Sequence, residues 1–585
     1  MPKLSDYLFD FLKGKGLSQV FMLPGGGAMH LVDSLGKSKL PYVCFLHEQA
    51  ASIAGESYGQ HKNEPALVLV TSGPGGTNAV TGVTAAYIDS TPMIVVSGQA
   101  KTCDLVGNKG VRQIGSQEVN IIDIVKPITK YAVQVSKASD IRYILERAWH
   151  EANSGRKGPV WIDIPLDIQA ASVEPEKLRG FCVPKSNKVK KLNVKLYDKL
   201  YSLLRNSKNP VFLAGNGIYT ANAVSDFEEF IKAIQIPVQT TWKSIDLMYE
   251  DHPLYAGHPG TLGDRGANFI IQNSDLLLCV GARIDNSITA FNEPAFAPNA
   301  KKIVVDIDQH ELDKFSMKID ERICCDAKIF LQKFNTFLKD KEPVKDADWL
   351  LYCKEIRKKY PVALPEFKDE QQYVNGYYFT DCLCEKLTEN DVVVPESSGV
   401  TCEVTIQAFK NKKGQKIKHA AGLGSMGFGL PYAIGACIAN NKRRTILVNG
   451  DGAFQLNIQE LETLHRLNLP VKIFIWNNNG YASIRGMQRN NFAGRYVASD
   501  VASGLTLPDI AKVAEAYGIK TYHITNNSEI HTKLNEILSD SSLALCMVDV
   551  SPDSVVALKV QSKMQKDGTM VPGRLNAMWP FLNEE

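Results

Sequence analysis

Continuously apolar runs of four to seven residues recur along this chain, separated by small-residue or amphipathic stretches, and the rhythm predicts alternating strands and helices. The first block, 1–172, holds Val20-Phe-Met-Leu23, Tyr42-Val-Cys-Phe-Leu46, Ala66-Leu-Val-Leu-Val70, Pro92-Met-Ile-Val-Val-Ser97 and Pro159-Val-Trp-Ile-Asp-Ile-Pro165. A basic, Pro-containing stretch, Glu174 to Lys195, reads as a linker. The second block, 196–335, repeats the pattern in Val211-Phe-Leu-Ala214, Leu276-Leu-Leu-Cys-Val280 and Lys302-Ile-Val-Val-Asp-Ile307. A charged, helical connection then runs to about Tyr373. In the third block, 376–558, Thr445-Ile-Leu-Val-Asn449 and Val471-Lys-Ile-Phe-Ile-Trp476 flank a segment of helical spacing from Gln455 to Asn468. The tail, 559–585, shows little regular pattern. A strand–helix–strand order implies parallel sheets with helices on both faces. The expected fold class is therefore α/β, with three doubly wound parallel-sheet domains.

Composition narrows the function classes. At 585 residues the chain exceeds what one core holds. A net charge of +3 with scattered Lys and Arg argues against a nucleic-acid or anionic-membrane surface. The 12 cysteines include no Cys-x-x-Cys pair, and Cys324-Cys325 and Cys382-Leu-Cys384 have the wrong spacing for a zinc knuckle. Reduced, buried thiols in the cytoplasm are the expectation. Met1 to Leu12 has helical spacing without a signal-peptide core, and no apolar run reaches membrane-spanning length.

Chemistry concentrates at strand ends. Gly450-Asp451-Gly452 ends one run of the third block, and Asn477-Asn478 ends the next, so a carboxylate and a carboxamide would stand side by side on parallel strands. Such oxygen ligands suit Mg²⁺ or Ca²⁺, and Mg²⁺ usually keeps substrate phosphates among its ligands. Two unrelated turns are the alternative. In Leu46-His-Glu-Gln-Ala-Ala51, Glu48 lies at a strand-to-helix junction; Ala51 rules out a His-Glu-x-x-His zinc motif, and favouring the positive end of a helix is its plain role. Val70-Thr-Ser-Gly-Pro-Gly-Gly-Thr-Asn78 is a glycine-rich loop after a strand. In Gly422-Leu-Gly-Ser-Met-Gly-Phe-Gly-Leu-Pro431 the glycines permit close backbone approach to a ligand, and Met426 is a flexible apolar wedge.

These separated motifs, in this order, resemble those of the thiamine-diphosphate (ThDP) enzymes of the transketolase and acetolactate synthase superfamily. The chain looks like a member of the acetolactate synthase branch, similar to its catalytic large subunits. Similar segments cover most of it, including Pro127-Ile-Thr-Lys130 and Gly158 to Pro165. The resemblance implies a pyrimidine-binding, a central Rossmann-like and a diphosphate-binding domain. It implies Mg²⁺ ligation by Asp451, Asn478 and the Gly480 carbonyl, with Gly450 and Gly452 beside the cofactor. Glu48 would bond N1′ of the aminopyrimidine, Pro24, Pro74 and Asn78 would line its side of the site, and Gly424 and Met426 would lie beneath it. Gln117 matches a catalytic glutamine. Val280-Gly-Ala-Arg-Ile-Asp285, Val305-Asp-Ile-Asp308 and Gly257-His-Pro-Gly-Thr-Leu-Gly263 resemble FAD-binding segments, so Gly217, Gly281, Arg283 and Asp306 would face a structural FAD. The active unit would be a homodimer or homotetramer, with Glu48 of one subunit facing Met426, Asp451 and Asn478 of another. The implied reaction is decarboxylation of a 2-oxo acid, pyruvate first, and transfer of the acetyl-level fragment to an acceptor carbonyl; a second pyruvate gives 2-acetolactate.

The chain departs from the biosynthetic pattern on the substrate side. Met487 stands where the family has tryptophan, Ser116 precedes Gln117 in place of phenylalanine, and Gly399-Val-Thr-Cys402 replaces Gly-Gln-His-Gln. Loss of two aromatics suggests a roomier acceptor site. The alternative is thus a divergent ThDP carboligase or lyase acting on a ketone, nucleotide keto-sugar or diketone. Asn479-Gly-Tyr-Ala-Ser-Ile-Arg485 favours that group, and Arg112, Arg485 and Arg489 are candidates to meet an anionic acceptor, or else solvated surface residues. A non-catalytic paralogue and a NAD-dependent dehydrogenase are weaker alternatives. Retention of Glu48, Asp451 and Asn478 opposes the first, and the lack of a complete Gly-x-Gly-x-x-Gly after its predicted strands opposes the second.

Overall fold

The computed structural model describes residues 1–184, 192–344, 346–420 and 422–582. Three parallel sheets organise it, one in each predicted block. The first has six strands in the spatial order Tyr42–Cys44, Val20–Met22, Ala66–Val70, Met93–Gln99, Pro159–Pro165, Tyr131–Gln134. The second has five, in the order Glu321–Cys324, Lys301–Asp306, Leu276–Val280, Pro210–Ala214, Val238–Thr240. The third has six, ordered Lys416–Ile417, Val392–Pro395, Thr445–Gly450, Val471–Asn477, Ala544–Asp549, Lys520–Ile524. The six-stranded sheets share one topology: the second, first and third strands in sequence, then the fourth, then the last two reversed. All pairings within these three sheets are parallel. Central strands of the first two sheets are buried along their whole length, and those of the third are buried except at their last residue, which is why they read as apolar runs.

Strands that periodicity does not reveal lie mostly at or near edges or start late. Tyr131–Gln134 is only half-buried, Glu321–Cys324 carries charged residues, and Lys416–Ile417 is two residues long. Edge strands need little continuous apolar surface, so no long apolar run marks them. The segment from Gln455 is not one helix: a 3₁₀ turn, Gln455–Glu460, breaks at Asn457 before the helix Leu461–Arg466. The tail, expected to be irregular, forms two antiparallel pairs, Lys559–Val560 with Met578–Trp579 and Lys563–Met564 with Met570–Val571. Of the linker expected over 174–195, residues 185–191 lie outside the described residues; its flanks hold a short turn, Pro175–Lys177, and the first residues of the helix Val194–Asn206.

The first and third domains meet through the helices Glu48–Lys62 and Gly429–Ala439. Small residues set their closest approach. A Cβ on Gly435 would lie 2.3 Å from the Ala54 carbonyl oxygen. Around the crossing, Ser57 donates to the Tyr432 carbonyl at 2.7 Å. The middle domain joins this junction through Lys243, which pairs with Asp89 at 2.8 Å and donates to the His419 carbonyl, and through the buried pair Lys418–Asp246 at 2.9 Å. No helix among the described residues is long and apolar enough to cross a membrane.

Candidate functional site

In the third domain the strands Thr445–Gly450 and Val471–Asn477 are parallel neighbours, with Gly450 opposite Trp476. Their shared carboxyl end places Asp451 at the start of a one-turn helix and residues 478–480 in the adjoining turn. Asp451 is buried, and its two carboxylate oxygens accept the amides of Gly452 at 2.8 Å and Gly480 at 3.1 Å. Burial pushes its carboxyl up to about 6. Gly480 has φ +136°, a backbone state reserved for glycine, and a Cβ there would meet the Ser499 carbonyl at 2.5 Å. Its carbonyl oxygen turns toward Gly452, 3.4 Å from where a Cβ on that residue would sit. A carboxylate, a carboxamide and a main-chain carbonyl thus gather over two strand ends.

Arg485 holds this turn from behind. Its guanidinium donates to the carbonyls of Asn478 (2.7 Å), Asn479 and Ser499 (3.1 Å each) and Pro552 (2.6 Å), and only 4% of the residue is exposed. It is neither a surface arginine nor free to meet an acceptor, because its donors are committed to the backbone that carries Asn478 and Gly480 and, at 3.4 Å, to Asn478 Oδ1 itself. Arg112 is exposed, and Arg489 pairs with Asp553 at the surface at 2.6 Å.

The glycine loop before the Gly429–Ala439 helix has left-handed turns at Gly424 (φ +66°) and Gly427 (φ +81°). Between them Met426 leaves 38% of its surface exposed. The break at Asn457 frees its side chain to bridge two segments, since Nδ2 donates to the Gly427 carbonyl at 2.8 Å and to Gln49 Oε1 at 3.1 Å. Gln49 adjoins Glu48, the first residue of its helix. So within one chain two hydrogen bonds connect the start of the Glu48 helix to the Met426 loop, and the Leu46 amide adds a 3.1 Å bond to Glu460.

Glu48 itself is buried, at 6% exposure; its Oε2 accepts from Asn78 Nδ2 at 3.1 Å, and its Oε1 has no hydrogen bond among the described residues. Asn78 lies on the helix Pro74–Ile88, where Pro74 takes the first position. Gly73 before it has φ +59°, and a Cβ there would sit 2.6 Å from the Gln117 carbonyl, so Gln117 packs by its backbone against this loop while its side chain is exposed. Pro24 follows the first strand, outside the core. No hydrogen bond joins Glu48 to Met426, Asp451 or Asn478 among the described residues.

In the middle domain Gly217, Gly281, Arg283 and Asp306 all line a cavity of about 670 Å³, within the range of cofactor sites. The two glycines also touch each other: the Gly217 amide donates to the Gly281 carbonyl at 2.9 Å, and a Cβ on Gly281 would lie 2.7 Å from Gly217 Cα. Burial pushes Asp306 up to about 6. The cavity reaches the third domain at Ser397, Gly399 and Gly424 and the first at Arg156. On that side Val400, Thr401 and Cys402 are buried, Ser483 Oγ accepts from the Val400 amide at 3.0 Å, and Met487 stands exposed.

Gln49, Asn457, Glu460 and Glu396 do not stand out in the sequence. Glu396 carries a usable signal, an acidic residue directly after the apolar run Val392 to Val394 and Pro395; the others become neighbours only through the helix crossing.

Three family models match the chain in order: the thiamine pyrophosphate enzyme N-terminal TPP-binding domain over residues 2–123, the central domain over 197–334 and the C-terminal TPP-binding domain over 398–549. Similar curated proteins include a probable acetolactate synthase large subunit of Methanocaldococcus jannaschii, 33% identical across 94% of this chain and 92% of its own length. The acetolactate synthase isozyme 2 large subunit of Escherichia coli K12 is 30% identical, over 92% and 94% respectively. The chloroplastic acetolactate synthase 2 of Nicotiana tabacum is 32% identical, over 92% and 80%.

Proposed function

The chain belongs to the thiamine pyrophosphate enzyme family, on its acetolactate-synthase-like branch, and from that premise we propose that it decarboxylates a 2-oxo acid, pyruvate first, and passes the acetyl-level fragment to an acceptor carbonyl. With a second pyruvate the product is 2-acetolactate. The observation that carries this reading is the cluster of Asp451, Asn478 and the Gly480 carbonyl over adjacent parallel strand ends.

The donor set fits the group it would hold. Three hard oxygen donors suit Mg²⁺, which would take its remaining ligands from a diphosphate and water. A buried carboxyl held near 6 by desolvation is stabilised as the anion by a divalent cation. Arg485 keeps Asn478 and Gly480 in place through their shared turn, and a metal bound at Asn478 Oδ1 would replace the long 3.4 Å contact which that oxygen now makes with the guanidinium. When bound, thiamine diphosphate supplies a carbon nucleophile and an electron sink for the loss of carbon dioxide. Glu48 would offer Oε1 to N1′ of the aminopyrimidine and would hold a proton there, while Asn78 fixes the other oxygen. Met426 and Gly424 would support the cofactor, Gly450 and Gly452 would adjoin its diphosphate side, and Pro24, Pro74 and Gln117 would adjoin its pyrimidine side.

The middle cavity suits FAD in volume and in its lining of two glycines, Arg283 and Asp306, in a structural role, since the proposed reaction needs no redox step. A homodimer or homotetramer is supported by large apolar side chains left exposed near both half-sites, among them Met29, Tyr42, Leu46, Tyr87 and Leu456. Free thiols throughout the described residues fit the cytoplasm.

A second reading concerns the acceptor. Gly399-Val-Thr-Cys402 and Met487 stand where the family carries bulkier polar and aromatic residues, which favours a ketone larger than pyruvate, such as a nucleotide keto-sugar. Incubation with Mg²⁺, thiamine diphosphate, FAD and pyruvate, followed by mass spectrometry, separates the readings. Carbon dioxide with 2-acetolactate supports the first. Carbon dioxide without it, and adducts only when ketones are added, supports the second. Failure to consume pyruvate, other 2-oxo acids or diketones would sink both.

A further inference from the structure

Glu396 follows the strand Val392–Pro395, and its amide extends the ladder to the Val448 carbonyl at 2.9 Å. It is wholly buried, and neither its burial nor its charge is explained by the proposed chemistry. Its carboxylate faces the start of the Gly429–Ala439 helix: Oε1 accepts from the Phe428 amide at 3.2 Å and Oε2 from the Gly429 amide at 2.8 Å. These are among the amides that a helix start leaves without internal partners. The contact is tight enough to dictate its neighbour, since a Cβ on Gly429 would lie 2.4 Å from Oε2 and 2.7 Å from Asn449 Nδ2.

Met426 lies two residues before Phe428, and its partly exposed side chain makes no hydrogen bond that could place it. Its position is therefore set by its backbone, which is pinned directly after it by Asn457 at the Gly427 carbonyl and by Glu396 at the amides of residues 428 and 429. We propose that Glu396 is a positioning residue: by accepting both amides it fixes the loop that presents Met426 and Gly424 to the cofactor. This rests on the reading of Met426 as the cofactor's support. Two acceptor oxygens are needed at once. Glutamine has one, and its amide group would turn a donor toward an N–H.

The test compares wild type with Glu396→Gln, and with Gly429→Ala as a second variant that leaves the carboxylate in place but obstructs its contact. The first readout is hydrogen exchange of the apo protein in peptides spanning 424–432 and 445–450. The second is the rate of C2-proton exchange of bound thiamine diphosphate, followed by NMR at saturating Mg²⁺ and cofactor. The expectation is at least tenfold faster amide exchange in 424–432 with 445–450 unchanged, and at least tenfold slower C2 exchange with cofactor affinity within about threefold of wild type. Unchanged exchange in both readouts overturns the proposal. So does loss of protection spread equally to 445–450, which would make Glu396 a general prop of the domain. If wild type itself does not accelerate C2 exchange over the free cofactor, the reading of the site fails, and Glu396's hold on the loop is still decided by the apo peptides.

Discussion

Replacing Gly435 by alanine tests how tightly the first and third domains are locked. The new Cβ would lie 2.3 Å from the Ala54 carbonyl oxygen and 2.9 Å from both Ala54 Cα and Ser57 Cβ. Two of these three atoms are main chain inside a helix, so no rotamer change relieves the clash. Ordinary carbon contacts lie near 3.5 Å, so the helices must part by about 1 Å. Such overpacking costs about 1–3 kcal/mol, and the gap it opens weakens neighbouring contacts as well. Alanine's better helix propensity returns about 1 kcal/mol. The net expectation is a loss of about 1 kcal/mol, with weaker binding of Mg²⁺-thiamine diphosphate, because Glu48 opens one of these helices and the Met426 loop leads into the other. Gly486→Ala is the control. It lies inside the helix Ala482–Asn491 with nothing within 4 Å of its would-be Cβ, and should gain about 0.5–1 kcal/mol. Urea unfolding followed by circular dichroism reads both. A Gly435→Ala protein as stable as wild type, or stabilised like the control, would refute the packing argument.

Other expectations follow from single groups. Glu48→Gln should keep Mg²⁺-thiamine diphosphate binding and lose about 10²–10⁴ in carbon dioxide release, and normal turnover would remove Glu48 from the mechanism. Lys418 and Asp246 are buried at 4% and 0% side-chain exposure, so Lys418→Met should cost about 3–5 kcal/mol by stranding the carboxylate, while Lys418→Met with Asp246→Leu should recover most of it in urea unfolding. Glu56 is pushed up to about 7 by burial, against a usual value of 4.5. Its folded form holds a proton that the unfolded chain has lost between those values, so stability falls as pH rises from about 4.5 to 7. Glu56→Gln should flatten that part of the profile of unfolding midpoint against pH, and an unchanged slope would assign it to other groups.

Much of the fold was legible because central strands of doubly wound sheets are buried on both faces and must be continuously apolar. Val68, Leu278 and Phe474 lie in such strands. Lys416–Ile417 and Tyr131–Gln134 were not legible, since edge strands face that demand on fewer sides. The placement of Asp451 and Asn478 at strand ends was legible for a related reason. Side chains at the carboxyl ends of neighbouring parallel strands converge whatever the details of packing, so Asp451 and Asn478 could be paired from spacing alone. Arg485 was not, because an arginine on a polar helix looks solvated in one dimension. Its burial depends on the loops at Ser499 and Pro552 folding back over it.

By itself the sequence determined the three parallel-sheet domains and which residues stand at their strand ends, because burial and chain direction act locally along each run. Only the tertiary structure decided that Asn457 joins Gly427 to Gln49, that Glu396 grips the start of the Gly429–Ala439 helix, and that Gly217 and Gly281 press on each other at the rim of one cavity. Those contacts join residues 30 to 408 positions apart, and no local pattern encodes a distance that is fixed by how whole helices and sheets pack.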